Sequence, residues 1–375
     1  MKNIDLLLSN VNPVQHTSLF GKNRVEVKET ILSGNGIYFL LEHIKWMEKR
    51  NIRVKTEVLF KCYFFKSSDV VNVIELIMLY TALHFENLFV FSLAHSKLLE
   101  NNILYINSLL PAFSNKTIGK SFISSFHKNI FTQTHYRRVV NYNETSNYDD
   151  TLSIICDEIK YTIKNGCNNV DLAIEASEST IEMIGNVLEH SQSDCIVDVK
   201  VALNNEQRIY VSLNVISLSS VYIGNRLMEL FDYGNSLDFS GSSIVSKAFQ
   251  QHKFLFNNLY DYSSFAFVCS FQNTVSTRAN ITQSGGTGFT TLLKNIHNKS
   301  FNEEYASYIL SGDNTLYFKN QFLNVDENGI IGFNVENDFY HKKPDDNILK
   351  KERIAFPGTI FCVNLVTEKI NNEIS

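Results

Sequence analysis

Apolar and polar positions follow two different rhythms along this chain. In residues 24–32 the residues Val25, Val27, Ile31 and Leu32 predict a strand. Residues 36–49 then place Ile37, Leu40, Leu41, Ile44 and Met47 at helical intervals. Residues 53–59 read as a further strand, 69–84 as a helix, and Leu88–Leu93 as a strand. Strands alternating with helices in this way predict a small α/β domain.

The rhythm weakens from about 112 to 150. Ser, Asn, Thr and Asp gather there, ending in Asn141-Tyr-Asn-Glu-Thr-Ser-Asn-Tyr-Asp-Asp150, and predict an exposed connection. This divides the chain into an N-terminal α/β domain over 1–140 and a second domain over 150–370. The second opens with helical spacing at 151–165 and 171–191. Strands at Cys195–Leu203 and Arg208–Ile216 flank the polar Asn204-Asn205-Glu206-Gln207, so a hairpin is expected. A helix is expected at 220–232, a strand at 263–272, a glycine-rich loop, and a helix at 289–297. Strands at 315–323, 329–334 and 358–366 close the pattern. Helices grouped against one mostly antiparallel sheet make an α+β sandwich.

Composition narrows the class. With 375 residues the chain is long enough for two cores. Hydrophobic residues at 44% against charged residues at 19% exclude a disordered chain. A net charge of −5 argues against a general nucleic-acid binder. The six cysteines form no C-x-x-C pair, which disfavours zinc or a redox dithiol, and they read as buried free thiols of a reducing compartment. The N-terminal MKNIDLLLSNVNP is too short and too polar after Leu8 for a signal peptide. The apolar stretch Val70–Leu93 is interrupted by Glu75, His84, Glu86 and Asn87, so it does not predict a membrane span. The expectation is a cytoplasmic protein with neither nucleic acid nor membrane as partner.

Three segments carry candidate chemistry. In Ile181-Glu-Met-Ile-Gly-Asn-Val-Leu-Glu-His190, spacings of four place Glu182, Asn186 and His190 on one helical face. Ile181, Ile184 and Leu188 fall on the other side. A carboxamide offers a neutral oxygen to magnesium, and a carboxylate one turn away can orient or deprotonate water. The bland alternative is the solvated face of an amphipathic helix. In Ser284-Gly-Gly-Thr-Gly288, glycines let backbone N–H groups approach phosphate oxygens, and a following helix presents its positive end. The bland alternative is a strand-to-helix turn. In Phe356-Pro-Gly-Thr-Ile-Phe-Cys-Val-Asn-Leu365, Thr359 stands at a strand entry where it can hydrogen-bond a ligand edge. Its alternative is an ordinary β-branched strand residue.

Together the three resemble the GHKL superfamily of gyrase B, histidine kinases, mismatch-repair ATPases and anti-sigma kinases. Glu182, Asn186 and His190 match its E-x-x-x-N box, often followed by His or Lys. Gly285, Gly286 and Gly288 match its second glycine box, and Gly358-Thr359 its last box. The resemblance covers roughly residues 150–368. It implies a Mg-ATP site: Asn186 on the magnesium, Glu182 polarising water, the loop with Gly285, Gly286, Thr287 and Gly288 closing over the phosphates, and Thr359 beside the adenine. Arg278, just upstream of that loop, is placed by position to meet phosphate charge. The first domain resembles STAS domains only loosely.

One box departs from the family. D-x-G-x-G is expected about thirty residues after the Asn, and Ser217, Ser219 and Val221 stand in its place. An acceptor remains without its charge, a loss of roughly 1.5–3 kcal/mol, or about ten- to a hundredfold in affinity. Asp232-Tyr-Gly-Asn235 is a second, later candidate. Recognition through Asn214 or a water is one reading of the departure; a fold that has lost tight binding is the other. The expected function is a nucleotide-dependent conformational switch or slow ATPase, with a protein partner or a second copy as reader. The alternatives are a Ser/Thr or His kinase and a non-catalytic interaction module. None of His16, His43, His84, His95, His127 and His135 is followed directly by Asp or Glu, which disfavours histidine autophosphorylation.

Overall fold

The computed structural model describes residues 3–9, 11–13, 24–27, 31–32, 34–50, 56–60, 64–65, 68–84, 89–93, 124, 126, 128–142, 148–203, 208–232, 242–273, 275, 292–296 and 307–368. Two compact units emerge: Met1–Ile130 with Arg137–Val139, and Phe131–Tyr136 with Val140–Ser375.

The first unit holds α1 (Asn3–Leu8), β1 (Arg24–Val27), β2 (Ile31–Leu32), α2 (Gly34–Lys49), β3 (Thr56–Phe60), β4 (Phe64–Phe65), α3 (Ser68–His84) and β5 (Phe89–Leu93). Strands β1, β3 and β5 form a parallel sheet in the order β1-β3-β5. Parallel neighbours need crossovers, and α2 and α3 supply them. Leu40, Ile44 and Met47 of α2 are buried, as their spacing predicts. Among the described residues, no helix is long and apolar enough to cross a membrane.

A six-stranded sheet, with β8 to β11 wholly in the second unit, comprises β6 (Ile130–Phe131), β7 (His135–Val140), β8 (Cys195–Leu203), β9 (Arg208–Leu218), β10 (Ser307–Phe318) and β11 (Leu349–Glu368), in the order β10-β11-β9-β8-β7-β6. Pairs β10–β11, β11–β9 and β9–β8 are antiparallel. Helices α4 (Tyr148–Cys167) and α5 (Val170–Asn186) pack against this sheet, so the unit is α+β. Their tight connection is explained locally. Asn168 takes a left-handed conformation, φ 53°, and its N–H caps Lys164 O at 2.8 Å. Asn169 then accepts from Leu172 N at 2.9 Å as the N-cap of α5. Gly166 lets α4 sit directly on β8, because a Cβ there would lie 2.9 Å from the Val201 side chain.

Period-2 alternation assigns the faces of the sheet. Val197, Val199, Val201, Ile209, Val211, Leu213, Val215, Phe361, Val363 and Leu365 share one core with Ala173, Ala176 and Ile184 of α5. Asp198, Lys200 and Asn214 alternate onto the other face, where His135 Nε2 meets Asp198 Oδ2 at 3.0 Å and Lys200 meets Asp198 at 2.9 Å.

Four stretches correct the sequence expectation. Residues 263–272 are not a strand: Tyr262–Cys269 form a helix, α8, after α6 (Asn225–Asp232) and α7 (Ser242–His252). An eight-residue run buried on all sides carries no period, and the decisive signal is local. Asp261 Oδ1 accepts from Ser264 N at 2.9 Å, capping the helix. Residues 329–334 are a buried loop. Side chains satisfy its backbone: Asp326 Oδ1 accepts from Ile330 N, Gln272 Oε1 from Ile331 N, and Asn337 Oδ1 from Gly332 N. A strand is also absent at 319–323, where a 3₁₀ turn at Asn320–Phe322 ends β10. The polar stretch expected to be a connection contains β6 and β7, which are too short to show a period.

Candidate functional site

The carboxyl end of α5 carries the first group. Ala176, Thr180, Met183 and Ile184 bury one stripe of that helix. The buried hydroxyls of Ser177, Ser179 and Thr180 are satisfied by carbonyls three or four residues back. One turn later Asn186 is 7% exposed and Glu182 is half-buried beside it. Asn186 Nδ2 donates to Glu182 O at 2.8 Å and to Glu182 Oε1 at 3.1 Å. With the nitrogen committed to Glu182, the amide oxygen is the atom left as a candidate neutral ligand. A carboxylate and a carboxamide oxygen held this way can share a hydrated divalent cation.

Directly after Asn186 the helix widens into a π-helical turn, Val187–Ser191, which ends on Gln192 at φ 47°. Such turns cluster at functional sites. A spacing of four aligns His190 with Asn186 only along an unbroken α-helix. The backbone there has a different period, and the His190 side chain lies outside the described residues.

The second group comes from sheet register. Ser311 of β10 pairs with Thr359 of β11, Thr359 with Ser217 of β9, and Ser217 with Cys195 of β8. Register partners project to one side, so these four make a row across the sheet. Ser217 continues the Val211, Leu213, Val215 series, so the row lies on the face covered by α5. Ser311 Oγ and Thr359 Oγ1 are 2.8 Å apart, and Ile223 N donates to Ser311 Oγ at 2.9 Å. Ser217 is 1% exposed, and its Oγ has no hydrogen-bond partner among the described residues. Gly358 explains the Gly-Thr box: with φ 149°, a Cβ there would lie 1.9 Å from Ser217 O. Only glycine lets β11 approach the Ser217 backbone this closely.

The two groups are tied together at the end of β9. Ser219 N donates to Pro357 O at 3.1 Å, and Ser219 Oγ donates to Ser191 O at 3.3 Å. Ser191 is the last residue of the π turn that begins one residue after Asn186. Ser219 Oγ also accepts from Val221 N at 2.9 Å, so the serine shapes its turn with its own side chain where a glycine was expected. The chain then crosses β10, with the Tyr222 ring against Gly312; a Cβ on Gly312 would lie 3.0 Å from that ring.

Arg278, Gly285, Gly286, Thr287 and Gly288 lie outside the described residues, as do Gly234 and Asn235 of the later Asp-Tyr-Gly-Asn candidate. Helical residues 292–296 follow the glycine segment, and Asn295 Nδ2 donates to Ser179 Oγ of α5 at 3.0 Å. Leu292, Leu293 and Ile296 join the same core. Asn214 cannot serve beside Ser217. It sits on the opposite face of β9, bonded to Ser212 Oγ at 3.2 Å. Ser311 is a site residue that sequence reasoning missed. Its signal is the Ser-Gly pair that interrupts the strand after Tyr308-Ile-Leu310, where the register shifts between Ser311 and Gly312. No protein-family model, curated protein or solved structure matches this chain.

Proposed function

We propose that the second unit is a GHKL-type module that binds Mg-ATP and works as a nucleotide-dependent conformational switch. The observation that carries this reading is the tie between two groups that lie far apart in sequence. The Asn186–Glu182 pair and the Ser217–Thr359–Ser311 row meet through Ser219 and Ser191. A cation ligand and a buried polar wall at one end of one sheet suit a ligand with charge at one end and a polar aromatic edge at the other.

In this reading Asn186 holds magnesium, and Glu182 orients the water. Thr359 and Ser217 meet the base, and the Gly285–Gly288 segment with Arg278 meets the phosphates. Asn186 alone is too little for a protein-only cation site, so phosphate oxygens and water would have to supply the remaining ligands. The contact of Asn295 with Ser179 supports this assignment, because it brings the helix that follows the glycine segment onto α5. Ordering of that segment by nucleotide is the expected signal to a partner or second copy. A histidine kinase is less well supported: His43 and His135 are both buried, at 8% and 4% exposure.

The test is thermal unfolding of the full chain with ATP and magnesium, for wild type and Asn186→Ala. Ligand at a hundred times its Kd adds about 2.7 kcal/mol of stability. A wild-type shift that Asn186→Ala abolishes supports the reading. An unchanged midpoint in wild type leaves only the non-catalytic interaction module.

A further inference from the structure

We propose that the outer face of α4 is a self-complementary docking surface, on which a second copy of this chain packs antiparallel to form a two-fold dimer. None of its residues belongs to the candidate nucleotide site, so the proposal stands apart from the reading above.

α4 carries two stripes. Ile155, Ile159 and Ile163 are buried in the core. Away from them Asp150, Ile154, Asp157, Tyr161 and Lys164 are exposed. Their alternating spacings of four and three are those of a coiled-coil seam. Ile154 is 53% exposed and Tyr161 51%. The apolar surface extends beyond the helix: the Phe131 ring of β6, 52% exposed, lies 5.3 Å from the Tyr161 ring. The Thr162 hydroxyl donates to Thr132 O at 3.1 Å and holds that strand end on α4. Single exposed apolar residues are ordinary, whereas contiguous ones mark an interaction surface. Phe131 and Tyr161 touch, and Ile154 lies two turns away on the same seam.

Charge selects the occupant. Asp150 and Asp157 make the first part of the outer face acidic, and Lys160 and Lys164 make the last part basic. None of the four has an ion-pair partner among the described residues. Asp150 and Lys164 are equidistant from Asp157, about 10 Å along the helix on either side. An antiparallel second copy centred there sets Asp150 against Lys164 at both ends and Ile154 beside Tyr161. The two Asp157 carboxylates meet at the axis, each flanked by Lys160 of the opposite copy. A parallel copy in register opposes like charges instead, which is destabilising. The antiparallel contact uses the same patch on both copies, so it closes as a dimer and leaves no open end. An interface limited to one helix and β6 falls at the small end of specific contacts, below about 1,200 Å², so the dimer is weak and concentration-dependent.

Sedimentation velocity of the full chain over a concentration series is expected to show a monomer–dimer equilibrium. Asp150→Lys and Lys164→Glu each act twice across the axis, and each is expected to weaken the dimer by about tenfold. The double variant, and an equimolar mixture of the two single variants, bring opposite charges together at both ends. Both are expected to recover wild-type association. That recovery separates docking from helix stability, because the macrodipole favours an acidic first turn and a basic last turn, and the double variant opposes it. Circular dichroism checks that each variant is folded. A wild-type chain that stays monomeric at every concentration overturns the proposal. So does a dimer unmoved by both single reversals, or one that they weaken and neither the double variant nor the mixture recovers.

Discussion

The side-chain amide of Asn186 donates to Glu182 Oε1 at 3.1 Å, so the helix itself orients the carboxylate. The same amide bonds the Glu182 carbonyl at 2.8 Å, which fixes its rotamer. Two side chains one turn apart therefore act as a unit. One carries a carboxamide, and the other a carboxylate hydrogen-bonded to it.

This pairing separates binding from turnover. Glu182→Gln keeps the shape and a carbonyl oxygen for Asn186 but removes the base. Stabilisation by Mg-ATP is expected to persist, while steady-state phosphate release falls by about 10²–10⁴-fold, the usual contribution of a general base. Phosphate release at the wild-type rate would show that Glu182 does not activate water.

Gly358 gives a prediction on stability that does not depend on the ligand. Its φ of 149°, and the 1.9 Å that would separate an added Cβ from Ser217 O, leave no room for a side chain. Gly358→Ala is expected to lower the unfolding free energy by about 1–3 kcal/mol through backbone strain and the contact with Ser217 O together. The measurement is the urea midpoint at unchanged slope. A loss under about 0.5 kcal/mol would mean that β11 moves away from β9 at no cost.

The parts of this architecture that are legible in the sequence are those with a clear period. α2, α4 and α5 follow their apolar stripes, β8 and β9 follow two alternating runs around a polar stretch, and α3, buried nearly all round, is legible by its length instead. Tyr262–Cys269 reads as a strand because burial on every side erases the period, and the cap Asp261 is the discriminating residue. Residues 329–334 read as a strand because of Ile330, Ile331 and Phe333, while the hydrogen-bond partners that make them a loop, Gln272 and Asn337, are not apolar signals. Glu182 and Asn186 pair from a spacing of four. Ser311 cannot be joined to Thr359 and Ser217 in this way, since register across three strands is set by pairing and a bulge, not by local sequence.

Asp261 predicts an acid-sensitive element. Burial pushes its carboxyl up, but the hydrogen bond from Lys351, the Ser264 N–H, the Ser263 hydroxyl and the Lys351 charge together bring it down to about 2. Lys351 Nζ lies 2.8 Å from Asp261 Oδ2 and 3.2 Å from Asp313 Oδ2. A depressed folded-state pKa adds stability that is present above the unfolded value near 3.8 and lost as pH falls towards 2. The Asp261 side chain is 47% exposed, so screening reduces the effect to about 1 kcal/mol. Asp261→Asn keeps the α8 cap and removes the charge. Its stability deficit against wild type is expected to be constant above pH 4 and to vanish by pH 2. A deficit that persists at pH 2 would assign the loss to packing instead.

His252 predicts the opposite end of the acid range. Its Nε2 meets Phe339 O at 2.8 Å, and its Nδ1 meets Tyr260 Oη at 2.6 Å. The carbonyl only accepts, so Nε2 carries the proton and donates. Burial raises the Tyr260 phenol well above its ordinary value, so that group stays protonated and donates to the bare Nδ1. The arrangement therefore needs neutral imidazole. Burial lowers the His252 pKa from 6.5, against the upward pull of the Phe339 carbonyl and Asp338, with His341 adding to the lowering. A histidine depressed in the folded state binds its proton more readily when unfolded. Stability is then full above the unfolded pKa near 6.5 and declines as pH falls below it. Asp338 and His341 face the same ring, so the comparison must hold them constant. His252→Gln retains a donor for Phe339 O and an acceptor for Tyr260 without titrating. Chemical denaturation between pH 7.5 and about 5 is expected to show a shallower loss of stability in the variant than in wild type. Parallel curves would place the acid sensitivity of this unit elsewhere than at His252.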